Sequence, residues 1–330
     1  MRPESTSIVL RRDLTIVAQE FDDRGAVKKL IAPIAAPVVR VEEAASTYPV
    51  MNREPFKKPI STTRGEDGRY NRITAVFGSA AYSCEDHGLE YPVDDRKAAR
   101  YRTFLNAEQA AARILRWQIL LAWERRVAAL YAAAGFTNHD VATAWSTTDT
   151  SQPVQDVKAG ADVLEDACGC AREDLSLVIP RADFDELILT DQIRDCVKYT
   201  FPGIQPAMLN AEQIATILGL KRVVVARSSY DSTEEGVAES MSQVWPSGVL
   251  YLALLAEPRN PGQAATYESL EIEPSAARTL VWPGDGADEI PVMESYREDA
   301  VRGNVVRARD DTDEVLTAEA DLMAYQLTNT

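Results

Sequence analysis

NAEQAAARILRWQILLAWERRVAALYAAAG, residues 106–135, is the stretch from which the rest of the chain is read. Asn106 offers a side-chain oxygen to the first free N–H groups of a helix, and Gln109 sits at the third helical position of a capping-box variant. No Gly or Pro interrupts the run before Gly135, which suits the left-handed residue just past a helix end. About 29 residues at ~1.5 Å each predict a rod of roughly 43 Å, well above the mean helix length. Ile114, Trp117, Leu121, Ala128 and Tyr131 are expected near one face, and Leu115, Ile119, Trp123, Val127 and Leu130 widen the stripe. A stripe that wide needs more than one neighbour. Such a spine helix is unusual in a compact enzyme domain and common in elongated or assembling subunits.

Upstream lie YPVMNREPFKKPIS (48–61) and TTRGEDGRYNRITAVFGS (62–79), which read as an extended hairpin. Gly65 and Gly68 bracket Glu66-Asp67 at the expected tip, while Pro55 and Pro59 exclude a helix and suit strands with an unpaired edge. Before the hairpin, LIAPIAAPVVRV (30–41) is expected to be extended, since each proline restricts itself and the residue before it. With few intrachain partners for its backbone, that segment reads as an arm docking elsewhere.

Downstream, helices and short apolar strands alternate. Helices are expected over 153–171, from a cap at 183–186 to about 199, and from Asn210 to Gly219. Strands are expected at 175–179, 222–226 and 249–256, giving an α/β unit with a small central sheet. From Arg278 the tail reads as β-rich and able to close on the sheet framing the long helix.

The chain has 330 residues and a formal net charge of −16. From Arg53 to Arg72 six basic residues face three acidic ones, so this stretch is +3 and the other 310 residues carry −19. That surplus repels phosphate backbones and argues against tight nucleic-acid binding. No apolar run reaches the ~18 residues a membrane span needs, and the N-terminus lacks an apolar signal region. A soluble cytosolic chain is expected, with Cys84, Cys168, Cys170 and Cys196 reduced.

Catalytic motifs are missing. There is no phosphate-binding glycine loop, nucleophile elbow or zinc-helix signature, and only His87 and His139 are present. Cys168-Gly-Cys170 lacks zinc-knuckle spacing and reads as small core thiols, and a Cys84–His87 nucleophile pair is disfavoured. Glu85, Asp86, Glu90, Asp94 and Asp95 do not fit a calcium loop and read as a solvated rim. No catalytic, cofactor or metal residue is assigned.

In its order of elements the chain resembles the major capsid proteins of tailed bacteriophages, with the HK97-like fold. The resemblance is carried by LIAPIAAPVVRV (30–41), YPVMNREPFKKP…TTRGEDGRYNRI (48–73), AAYSCEDHGLEYPVDDR (80–96), the spine helix from Asn106, and VMESYREDAVRGNVVRARDDTDEVL (292–316). It implies an α+β fold with an N-terminal arm (1–48), an E-loop (49–80) reaching across a neighbouring subunit, and a peripheral domain (81–152) containing the spine helix 106–134. An α/β axial domain (153–291) and a return to the peripheral domain (292–330) follow. The E-loop contacts would come from Arg53, Phe56, Lys57, Lys58, Arg64, Arg69 and Arg72, and the arm contacts from Ile31, Pro33, Ile34, Pro37 and Val38. Apolar contact from Val50, Phe56, Ile60, Ile73 and Val76 would supply more of the interface energy than the charges.

The resemblance further implies hexamers and pentamers of an icosahedral shell that encloses double-stranded DNA without reading its sequence. Portal, separate scaffolding and decoration proteins are the implied partners, with no membrane and no cofactor. The shell would be assembled in the host cytoplasm and persist as the virion capsid. An encapsulin-like nanocompartment shell and, from another class, an enzyme holding a metal on the Glu85–Asp95 carboxylates are the competing readings.

Overall fold

The structure, a computed structural model, describes residues 9–10, 29–51, 59–64, 68–72, 77–101, 106–200, 209–234, 236–257, 265–266, 273–284, 290–300, 302–317 and 319–330. Along the chain, β1 (Val9–Leu10) precedes a single helical turn α1 (Ala32–Ala35), β2 (Val38–Arg40) and the hairpin strands β3 (Ala45–Met51) and β4 (Phe77–Ser83). β5 (Glu85–Asp94) and α2 (Asp95–Tyr101) lead into the spine helix α3 (Ala107–Ala133). Next come β6 (Thr137–Asp140), α4 (Pro153–Cys168), β7 (Leu175–Pro180), α5 (Arg181–Leu189), α6 (Asp191–Thr200), α7 (Ala211–Leu218) and β8 (Arg222–Ala226). β9 (Ser229–Asp231), β10 (Met241–Gln243), β11 (Val249–Leu254), β12 (Ala265–Thr266), β13 (Ala277–Val281), β14 (Val292–Glu298) and β15 (Gly303–Leu316) follow. The turn α8 (Ala320–Met323) and β16 (Ala324–Thr328) close the chain.

Two sheets organise this α+β fold. The larger runs β1-β14-β15-β13-β2-β12, with β5 also paired to the 14-residue β15. The smaller runs β6-β16-β11-β7-β8, mixing parallel and antiparallel pairs.

The spine helix joins the two. Asn106 accepts from the Glu108 and Gln109 N–H groups, and Gly135 adopts φ +62° beyond the helix end. In the N-terminal half of α3, Ala111, Ala112, Leu115 and Ile119 pack on Val93, Met293, Val306 and Ala308 of the larger sheet. In its C-terminal half Trp123, Val127 and Tyr131 enter a second core built on the smaller sheet. Ile114, expected inside the stripe, is instead 50% exposed, because the buried arc is centred on Leu115 and Ile119.

Other expectations are corrected. The helix from 183 to 199 is two helices: Thr190 is extended, its hydroxyl closes back on the Leu187 carbonyl, and the Asp191 N–H goes to Thr148. Asp183 is not a cap; its buried carboxylate accepts from the Gly248 N–H and the Asn329 amide. The boundaries at 152 and 291 do not separate the sheets. β6 and β16 lie in the smaller sheet and β13 in the larger one, since each finds its ladder partners there. Cys168 and Cys170 are linked as a disulfide.

Candidate subunit-contact site

The hairpin is rooted in its own subunit. β3 and β4 pair in antiparallel register from Ala45↔Ser83 to Met51↔Phe77. At the root, Tyr82 Oη donates to the Glu43 carbonyl, Trp282 Nε1 to the Glu42 carbonyl, and the Ser83 N–H to Asp313 Oδ2 at 2.9 Å. Burial, then the Asp313 and Asp311 carboxylates, push the Cys84 thiol up to about 11, the opposite of an activated nucleophile.

The described tip residues bond to one another. Arg64 Nε donates to the Gly68 carbonyl at 2.7 Å, its guanidinium lies 4.8 Å from the Tyr70 ring centroid, and Asn71 Nδ2 donates to the Ser61 carbonyl. Arg64, Arg69 and Arg72 are all exposed, and Tyr70 is 72% exposed. Arg and aromatic groups held outward suit a contact surface. Arg53, Phe56, Lys57 and Lys58, with Ile73 and Val76, lie outside the described residues. Ile60 is exposed and Val50 half-buried.

The expectation that residues 30–41 dock elsewhere is corrected. Ile31, Pro37 and Val38 are buried in their own subunit, and Pro33 and Ile34 are half-buried. The backbone of this segment finds its partners in the spine helix and β13. The Ile31 and Ala32 N–H groups donate to Glu124 Oε2 at 2.9 and 2.6 Å, and Tyr131 Oη donates to the Ala35 carbonyl at 2.8 Å. Thr279 closes the gap, its hydroxyl donating to the Ala36 carbonyl and its N–H to Pro37, while Trp123 Nε1 donates to Thr279 Oγ1. The prolines do not keep the whole segment extended, because Pro33 falls in the first turn of α1, where its missing N–H costs nothing.

Glu124 is the residue that sequence reasoning missed. It is 0% exposed, and its other oxygen accepts from Ser228 Oγ and Trp245 Nε1. Burial raises its pKa, opposed by the four donors. The available signal was one carboxylate inside an otherwise apolar helix face, where burial demands partners.

Two carboxylates of the acidic rim, Glu90 and Asp95, are held in ion pairs. Glu90 Oε1 accepts from Arg307 Nε at 2.6 Å, and Glu90 Oε2 accepts from Tyr296 Oη. Asp95 forks with Arg297, which holds its carboxyl below the usual range. Asp94 caps α2 through the Arg96 N–H. Among the described residues no group of three or more His, Cys, Asp or Glu is placed to hold a metal.

No family model matches the chain. It is 26% identical over 280 residues to the major capsid protein of Burkholderia phage BcepMu, covering 83% of each chain. A phage-related protein from Bordetella bronchiseptica RB50 superposes with TM-score 0.68 over 98% of both chains at 18% identity. A capsid chain of cyanophage P-SCSP1u does so with TM-score 0.57, covering 91% of this chain and 88% of that one, at 10% identity. The fold is the HK97-like fold of phage capsid chains.

Proposed function

We infer that the chain is the major capsid protein of a tailed phage, a structural protein and not an enzyme, whose copies assemble into the icosahedral shell of the virion. The observation that carries this reading is a capsid fold spanning nearly the whole chain together with a hairpin whose tip residues reach outward as a charged, aromatic surface. Similarity to a major capsid protein over most of both chains favours a genome-enclosing shell over a cargo compartment, and the Arg307 and Arg297 cations seated on Glu90 and Asp95 disfavour a metal at those carboxylates.

Within that shell the hairpin lies across a neighbouring copy. Arg53, Lys57, Lys58, Arg64, Arg69 and Arg72 meet an acidic body, since the hairpin stretch is +3 and the remainder −19. Exposed pairs supply only ~0.2–1 kcal/mol each, so charge sets register and apolar contact from Phe56 and Ile60 supplies more of the energy. Repetition of this head-to-tail contact closes rings, which become the hexamers and pentamers of the shell. Assembly takes place in the host cytoplasm with portal and separate scaffolding proteins, with decoration proteins added outside, and the acidic wall encloses DNA without gripping it.

Electron microscopy of the full chain expressed with its scaffolding protein tests this reading. Closed shells are expected; a chain remaining monomeric or dimeric at high concentration would overturn it.

A further inference from the structure

Asp310 is a buried acid that shell building leaves unused. It lies on β15, is 3% exposed, and neither carboxylate oxygen accepts a hydrogen bond among the described residues. Its ion-pair partner is Arg126 of the spine helix, with Nη2 3.8 Å from Oδ2. That guanidinium is already engaged. Nε and Nη2 fork onto Glu314 at 2.8 and 3.1 Å, and Nη2 also donates to Thr312 Oγ1 at 3.0 Å. Around the site stand Glu314 and Asp311 from β15 and Asp86 from β5, and His87 is opposite Asp310 in the β5–β15 register.

One cation therefore serves two buried carboxylates. The second cannot ionise without placing uncompensated charge in the seam between helix and sheet. We propose that Asp310 is a proton-operated clasp between the spine helix and β15. Protonated, it lets α3 lie closed on the sheet; ionised, it draws Arg126 away from Glu314 and loosens that seam.

Burial, only partly offset by Arg126 and reinforced by Glu314, Asp311 and Asp86, pushes the Asp310 carboxyl up to about 7. An unfolded aspartate titrates near ~3.9, so the folded chain holds the extra proton between those values. The contribution to stability is complete below the unfolded pKa and is lost as pH rises through about 7. The folding constant falls by up to ~10-fold per pH unit across that window.

Thermal unfolding of the full-length chain between about pH 5 and about pH 8 tests the clasp. The Tm of the unsubstituted chain is expected to fall across this range. Asp310→Asn should remove most of the fall, while His87→Gln should keep it. Glu314→Gln frees Arg126 for Asp310 and should move the transition to lower pH, a readout that stands even where Asp310→Asn does not fold. An unchanged slope in Asp310→Asn, a slope lost only in His87→Gln, or a transition in Glu314→Gln that stays put or moves up would overturn the proposal.

Discussion

The Trp245 indole N–H donates to Glu124 Oε1 at 2.8 Å, joining residues 121 apart in the chain. The same carboxylate holds the Ile31 and Ala32 N–H groups of α1 and the Ser228 hydroxyl. One spine-helix side chain thus fastens the N-terminal segment and two loops near the smaller sheet to the helix that crosses both cores. Removing it leaves four donors without an acceptor, all of them in a buried setting that water would have to enter. Glu124→Ala should destabilise the chain by at least about 4 kcal/mol, at roughly 1–3 kcal/mol per unsatisfied buried group. Glu124→Gln keeps the shape and one acceptor and should cost less. Denaturant unfolding of both variants checks this, and equal losses would show that the shape and acceptor kept by Gln contribute nothing.

Charge at the hairpin tip should matter for assembly and little for folding. Arg64, Arg69 and Arg72 are exposed, and exposed substitutions usually stay within about 0.5 kcal/mol each. Arg64→Glu with Arg69→Glu and Arg72→Glu should leave the unfolding midpoint nearly unchanged while particle yield collapses. Normal yield from the triple variant would show that the charge is incidental.

Gly303 begins β15 where it pairs with Asp94 of β5. A Cβ there would overlap the Val93 carbonyl, a backbone atom that cannot swing aside. Overpacking of this kind costs about 1–3 kcal/mol, occasionally more, so Gly303→Ala should lower the Tm by several degrees. Gly169, with open space around its missing Cβ but φ +68°, should tolerate Ala less well than that space suggests.

Cys84 should be slow to react. Its thiol is raised to about 11, chiefly by burial and then by Asp313 and Asp311, so little thiolate exists at neutral pH. The folded state holds this proton more tightly than the unfolded chain does. Its stabilising effect is therefore present below the ordinary thiol value near 9 and is lost as pH rises through about 11. In a Cys196→Ser background, alkylation at neutral pH should be far slower in the folded chain than in urea. Matching rates would contradict the burial.

Local signals made part of this fold readable. Asn106 and Gly135 bracket α3 by capping chemistry that acts within one turn, and the prolines and paired glycines of 48–79 leave little but a hairpin. What escaped reading depends on distant partners. A four-residue turn such as α1 has no stability of its own and forms because Glu124, some ninety residues away, takes its first N–H groups. The break at Thr190 follows from Thr148 claiming the Asp191 N–H. The sheets exchange strands across the expected boundaries because β16 and β13 pair with ladders set elsewhere in the chain. At the contact site, the exposed arginines of the tip were legible as a charge imbalance. Residues 30–41, apolar and proline-spaced, looked the same whether they covered a neighbour or filled their own core.

The most direct test of the shell-forming role is sedimentation of the purified full-length chain, co-expressed with its scaffolding protein, followed by negative-stain imaging of the fast fraction. The account predicts closed, uniform shells of many copies, with rings of five and six subunits in their averaged images. A single slow species of one or two copies, at every concentration and with scaffolding protein present, would contradict it.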